Sequence, residues 1–259
     1  MSVADPVQPN PERRFRFSLR ALLGLVTFCA VIFSGLAYLR QISGEQGSRE
    51  NLDRVSKALM DCVSATGRLP SAYVMDSSGR RMHSWRSCVV PLLDWDYGAT
   101  GIRYKFDEPW DGPQNTLLRK MYSHYFLSPF YADGPRNATY LCVVGGALWP
   151  VPRIRDESWK DVTSRSTKEG GVLPGRGKAI VLVEVAESSI PWTKPEDISL
   201  SEIAALLRED PSGNQFRRRI RHVVAVDATG TPFILKPRKD MDEIKTLVES
   251  EASNEPRRP

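Results

Sequence analysis

The sequence predicts an α+β protein in which an N-terminal transmembrane and stalk helix leads to a head built from an antiparallel sheet and surface helices. Three observations predict it. A charge-free apolar run, Ala21–Leu39, is followed closely by an amphipathic helical stripe, and the second half of the chain changes to short β-branched runs bounded by Gly, Asp or Pro. With 41% hydrophobic and 26% charged residues in 259, the composition is that of a folded domain with appendages and excludes a disordered chain.

The apolar run reads ALLGLVTFCAVIFSGLAYL. At about 1.5 Å per helical residue it nearly matches a hydrocarbon core of roughly 30 Å. Arg13, Arg14, Arg16 and Arg20 precede it, whereas Arg40 and then the mixed charges Glu45, Arg49 and Glu50 follow. The positive-inside rule keeps residues 1–20 in the cytoplasm as a basic tail and exports the rest. A cleaved signal peptide would have a shorter apolar stretch and a small-residue cleavage site, which Tyr38-Leu39-Arg40 does not supply. An interfacial helix needs a polar face, which the run lacks, and a core helix has no use for the basic collar. The expectation is a single-pass signal anchor at the cytoplasmic (inner) membrane, with the lipid bilayer as partner through residues 21–39.

Residues 40–48 are expected to be a linker, because SGEQGS (Ser43–Ser48) is polar and carries two glycines that break the stalk. Leu52, Val55, Leu59, Cys62 and Val63 then form a helical stripe that stops near Gly67, with Pro70 beyond. Asp76-Ser77-Ser78-Gly79 is turn chemistry, after which Ser84 caps a helix packing Trp85, Val89, Leu92 and Leu93, ended or kinked by Pro91. A second helix is expected with Asp111 as N-cap, Pro113 in the first turn, and Leu117, Leu118 and Met121 inward. Strands are expected at 139–144, 179–185, 223–227 and 232–235, in one sheet. Pro150–Gly177 reads as loop and Ile198–Arg208 as a surface helix. The exported domain thus covers 49–239, and 240–259 is a last amphipathic helix with a disordered tail from Ser253, matching a disordered first ten residues.

The strings SWRSCVVPLLD (Ser84–Asp94), FDEPWDGPQN (Phe106–Asn115), a Thr-Tyr strand before Gly145-Gly146, KAIVLVEVAES (Lys178–Ser188) and IPWTKPEDI (Ile190–Ile198), in that order, resemble the bacterial pseudopilin-like proteins of domain-of-unknown-function family 1559. The resemblance spans roughly Arg49 to Leu235. It implies a type IV pilin-like head on a long N-terminal helix, with no established activity, and marks Ser84, Trp85, Arg86, Glu108, Pro109, Trp110, Asp111, Asn115, Glu184, Pro191, Trp192, Pro195 and Asp197 as family-motif residues. The chain departs from that pattern in two places. Arg16-Phe17-Ser18-Leu19-Arg20 lacks the glycine and glutamate of a prepilin cleavage and methylation motif, and His222 precedes Asp227-Ala228-Thr229-Gly230 where the family has a histidine before Asp-Gly. Without the early glutamate, Arg20 would bring like charges together in a helix bundle, so a monomer or small complex is expected, not a filament.

Two readings of Asp107, Glu108 and Asp111 around Trp110 stay open: a calcium or polar ligand site, and, favoured, the start of a helix with Asp111 capping and Trp110 packing. Trp192 is expected as a core anchor between Pro191 and Pro195, with Lys194 and Asp197 solvated or paired. Glu184, amid Val and Leu, must be paired or lie at a strand end or edge. Gly171–Lys178 fails as a phosphate loop because its first interval is one residue too long, Ala179 replaces Ser or Thr, and a strand follows. His83, His124 and His222 are isolated, so neither metal, cofactor nor catalysis is expected. Cys62, Cys88 and Cys142 permit a disulfide or serve as small core hydrophobes. The net charge of +5 resides at the ends and in Arg217-Arg218-Arg219-Ile220-Arg221, so it argues only weakly for nucleic acid, which is not expected as a partner; that run reads as a solvated loop or strand edge, or as a contact for phosphates or anionic lipid. A structural or protein-interaction role with unknown envelope partners is expected; the alternative is a ligand- or calcium-binding module.

Overall fold

The structure, a computed structural model, describes residues 18–93, 103–119, 121–131, 137–149 and 171–254, and the chain divides into two units, Met1–Ser43 and Gly44–Pro259. The first ten residues, expected to be disordered, three of the collar arginines, most of the expected Pro150–Gly177 loop and the last five residues lie outside the described residues.

In the first unit, helix α1 (Leu19–Thr66) begins as an apolar rod whose large side chains, among them Leu22, Phe28, Phe33 and Leu36, are all exposed. It is one N-terminal helix long and apolar enough to cross a membrane. The expected break at Ser43–Ser48 is absent, since α1 is helical throughout. The glycines have a packing reason instead. A Cβ on Gly44 would lie 2.7 Å from the Phe130 ring, and one on Gly47 3.0 Å from the Pro129 ring. Glycine costs a helix about 1 kcal/mol relative to alanine, and here it admits two neighbours that alanine would push away. The helix ends as expected, at Gly67 with φ 77 and its amide on the Val63 carbonyl at 2.7 Å.

In the second unit, α1 contributes Leu52, Val55 and Leu59 to the core, with Cys62 and Val63 partly buried. Strands β1 (Tyr73–Met75) and β2 (Arg81–Ser84) form an antiparallel hairpin over the Asp76 turn, where the Asp76 carboxylate accepts from the Ser78 and Arg80 amides. Strands β3 (Tyr140–Val144), β4 (Lys178–Val185), β5 (Ile198–Ser199), β6 (Ile220–Asp227) and β7 (Pro232–Leu235) form a second sheet in the order β5-β3-β4-β6-β7. The four expected strands are there and antiparallel; the short β5 pairs parallel to β3, so the sheet is not wholly antiparallel. From Ala179 to Val185 every residue of β4 is buried, which fits a central strand covered on both faces.

Helix α2 (Trp85–Leu93) follows β2, and the Ser84 hydroxyl accepts from the Arg86 amide. Pro91 lies inside α2 without ending it there, and Leu92 points to solvent, contrary to expectation. Helix α3 (Pro113–Leu118) takes Gly112 rather than Asp111 as N-cap; Leu118 is buried but Leu117 is exposed. Helix α4 (Leu200–Glu209) starts two residues later than expected, behind a Ser199/Glu202 capping box, because Ile198 and Ser199 pair with β3. The arginine run forms the end of helix α5 (Asn214–Arg219) and the start of β6. Helix α6 (Met241–Asn254) packs on α4 and β4 and takes in Ser253 and Asn254 from the expected disordered tail.

Candidate functional site at the helix–sheet seam

The register of the sheet builds the site. Glu184 of β4 stands opposite Tyr140 of β3 and His222 of β6, so one row across three strands carries a carboxylate, a phenol and an imidazole. Helix α1 lays Ser48 on that row, in the same stripe as Leu52, Val55 and Leu59. The Ser48 hydroxyl donates to Glu184 Oε2 at 2.7 Å and lies 3.4 Å from the Tyr140 hydroxyl, while His222 Nδ1 meets the same Oε2 at 2.5 Å. One helical turn before Ser48, Glu45 Oε1 accepts from His222 Nε2 at 3.3 Å and pairs with the Lys236 ammonium. The two ring nitrogens of His222 thus face one carboxylate each, and both bonds form only when both nitrogens carry hydrogen. The Lys236 ammonium opposes the Glu45 carboxylate, and the Ser48 hydroxyl and the His222 ring give the buried Glu184 hydrogen-bond partners, which is how such a cluster tolerates burial.

Glu184 and His222 are buried, whereas Glu45 and Lys236 reach solvent at 36% and 31% side-chain exposure. Burial pushes the Glu45 carboxyl upward, but its hydrogen bond to Lys236 and the neighbouring His222 outweigh that and leave it below its ordinary value. Burial and the Glu184 charge raise the Tyr140 phenol. Glu184 Oε1 has no hydrogen-bond partner among the described residues. Because the Ser48 hydroxyl donates to Glu184 and not to His222, the cluster is no hydroxyl–imidazole relay, and its chemistry is that of an ionic tie between helix and sheet.

The other motif residues gather into three clusters. Arg86 and Asp197, expected respectively as an unassigned motif position and a solvated or paired charge, form an ion pair whose two side chains are fully buried. Arg86 also donates to the Ser84 hydroxyl at 2.9 Å and twice to the Tyr140 carbonyl, at 3.2 and 3.3 Å. Asp197 Oδ1 accepts from the Cys142 amide at 2.9 Å and the Trp85 indole at 3.2 Å. Full burial raises the Asp197 carboxyl above its ordinary value, and Arg86, Cys142 and Trp85 pull it back. Lys194 pairs instead with Glu196.

In the second cluster Asn115 is a staple. Its amide nitrogen donates to the carbonyls of Lys105, Glu108 and Pro109, and its oxygen accepts from the Lys105 amide at 2.8 Å. Glu108 caps α3 by accepting from the Asn115 amide at 2.8 Å, the role expected of Asp111. Asp111 faces Arg80 at 3.6 Å. Sequence reasoning put the cap on Asp111 because caps usually adjoin the helix; here the chain folds back and the longer glutamate reaches it. Asp107 is exposed, and the three carboxylates form no group that could hold a metal ion among the described residues. Trp110 is half-buried, with Arg119 over its ring at 5.4 Å.

The third cluster is Trp192, a core anchor as expected, stacked on Phe126 at 5.6 Å with its indole donating to the Arg119 carbonyl at 2.8 Å. Pro195 is buried beside it, and Pro191 bridges to Asn137. All four cysteines are free, Cys142 fully buried, so the core-hydrophobe reading of that residue holds.

Sequence reasoning missed that Ser48 and His222 bond to Glu184, that Tyr140 stands opposite it, and that Glu45 and Lys236 extend the cluster through His222. One signal was there: Glu45 and Ser48 continue the Leu52 stripe upstream at helical spacing, inside a segment taken for a linker. It also missed Glu251 of α6, which accepts from the Ile180 and Ala147 amides at 2.6 and 3.0 Å and whose carboxyl burial raises. Comparison of the chain with family models, curated proteins and solved structures finds no match.

Proposed function

We propose that the chain is a membrane-anchored, extracytoplasmic module that works through protein contacts and not by catalysis, a pilin-like head on a bilayer-spanning helix of the kind the family 1559 resemblance implies. The observation that carries this reading is α1 itself. Its first half presents exposed apolar side chains along its length, which suits a lipid surround, and its second half is a structural member of the head, bonded to the sheet through Ser48 and Glu45. A helix tied in that way suits a protein that holds a head at a bilayer surface. The arginines before Ala21 support a cytoplasmic N-terminus by the positive-inside rule, and the Arg20 position favours a monomer or small complex over a filament.

Topology tests it directly. Alkaline phosphatase fused to the C-terminus is expected to be active in cells, with the intact N-terminus recovered from membranes by mass spectrometry. Activity of a cytoplasm-only reporter at that end, or full-length chain in sheared surface fibres, overturns it.

A further inference from the structure

The basic residues of α5 and of the turn after β7 are brought to one place, and that place is tethered to the anchor. Arg217 Nε donates to the Pro237 carbonyl at 3.1 Å, which joins the end of α5 to the turn. Lys236 pairs with Glu45, and His222, three residues after Arg219, also reaches Glu45 at 3.3 Å. Two separate contacts therefore hold this surface to Glu45. Glu45 follows Leu39 by six residues, which span at most about 20 Å fully extended and about 9 Å as helix.

On this surface Arg218, Arg219, Arg238 and Lys239 are exposed, and none of the four forms an ion pair among the described residues. The acids nearby are engaged elsewhere or few. Glu45 is held by Lys236 and His222, Asp240 accepts from the Lys236 amide, Asp210 accepts from Ser212 and Gln215, and the exposed acids are Glu187, beside the Ala186–Arg219 backbone bond, with Glu209 and Asp242, against four exposed basic side chains. Beside them Arg221 donates to the Tyr131 hydroxyl at 2.6 Å and lies over the Phe130 ring at 4.1 Å, an arginine–aromatic pairing suited to the headgroup layer.

We propose that this face of the head, Arg218 and Arg219 of α5 with Arg238 and Lys239 of the following turn, docks on anionic phospholipid headgroups of the bilayer in which α1 is anchored. The inference rests on the anchor reading above. Clustered basic residues next to a membrane segment gain from a negative surface potential, and the gain fades within a Debye length, so the short tether from Leu39 is what makes the contact effective. Docking on lipid would hold the head at one angle to the membrane and leave the opposite end of the sheet for partners.

The test uses the full chain in nanodiscs of phosphatidylcholine alone or with phosphatidylglycerol, followed by hydrogen–deuterium exchange. Amides of 214–221 and 236–241 are expected to exchange roughly tenfold slower in the anionic discs, a difference that high salt removes. The Arg218→Glu/Arg219→Glu/Arg238→Glu/Lys239→Glu chain is expected to lose the protection, and replacement of the three arginines by lysine to keep it, because charge and not fork geometry is what lipid reads. Equal exchange in both discs overturns the proposal, as does protection in phosphatidylcholine discs produced by inorganic phosphate alone, which would make this a phosphate site. Failure of the chain to co-purify with discs instead overturns the anchor, so the two failures are distinguishable.

Discussion

Two buried charge clusters lie on the same sheet and are built differently. Around Arg86 and Asp197 the charges are sealed, and the guanidinium and carboxylate bond to the Ser84 hydroxyl, the Trp85 indole and the backbone of Tyr140 and Cys142. Around Glu184 the charges form a chain from the core to solvent, through His222 to Glu45 and Lys236, and one oxygen of Glu184 has no partner among the described residues. The first cluster joins segments that lie far apart in sequence but all within the head. The second joins the sheet to the helix whose N-terminal half is the long apolar rod. A sealed pair fixes one geometry, whereas a chain open at one end exchanges charge with solvent.

The largest expected effect tests the seal. Asp197→Ala leaves the Arg86 guanidinium buried without its counter-ion, and loss of one partner of a buried pair costs about 3–5 kcal/mol. Arg86→Met with Asp197→Leu removes both charges and is expected to recover much of that loss. Urea denaturation of the full chain in detergent, followed by the fluorescence of the buried Trp85, Trp149 and Trp192, measures it. A cost below about 1 kcal/mol for the single change would mean that Arg86 finds water or another partner, and the contrast between the clusters would collapse.

A smaller effect is expected at the seam. Glu184→Gln keeps the volume but removes the charge that faces His222 and leaves imperfect partners in the core, a cost of about 1–3 kcal/mol. A double-mutant cycle with His222→Gln isolates the pair, and a coupling of at least about 0.5 kcal/mol is expected for residues in direct contact. Coupling indistinguishable from zero would show that Ser48 and Tyr140 alone hold Glu184 in place.

What the sequence made legible follows from range. Periodicity is local, so the Leu52–Val63 stripe, the four main strands and the Gly67 stop were readable, as was the oddity of Glu184 in an apolar strand. The partner of Glu184 was not, because Ser48 is 136 residues away and only register brings His222 opposite. Arg86 and Asp197 each stood in a recognisable string, yet nothing in either string says that they meet. The short β1, β2 and β5 escaped because two to four residues carry no period. Gly44 and Gly47 misled for the same reason: a glycine reads as a break when its neighbour, Phe130 or Pro129, is remote in sequence.

The smallest effect is the most specific, because it concerns the open end of the chain. Glu45 is partly exposed, so its pair with Lys236 and His222 contributes at most about 1 kcal/mol after screening. Its carboxyl is held below the usual 4.5, so that contribution is present above pH 4.5 and lost as pH falls through the lower folded value. A second buried histidine titrates in a neighbouring window and must be separated from it. His83, between Tyr104 and Phe106, is pushed down to about 4 from 6.5 by burial, against a backbone hydrogen bond and the nearby Asp107. The unfolded chain takes up that proton first, so the stability His83 confers is present above 6.5 and is lost as pH falls from 6.5 toward about 4. The acid limb of the stability curve is therefore expected in two steps. His83→Phe, which keeps the ring among its aromatic neighbours, should flatten the upper step and leave the lower. Glu45→Gln should do the reverse, lowering stability near neutrality slightly and reducing the dependence below pH 4.5, where Asp76, Asp210 and Asp227, also held below their ordinary values, still contribute. If Glu45→Gln left the lowest part of the limb unchanged, Glu45 would be an ordinary surface carboxylate, and the seam would be as closed to solvent as the Arg86 pair.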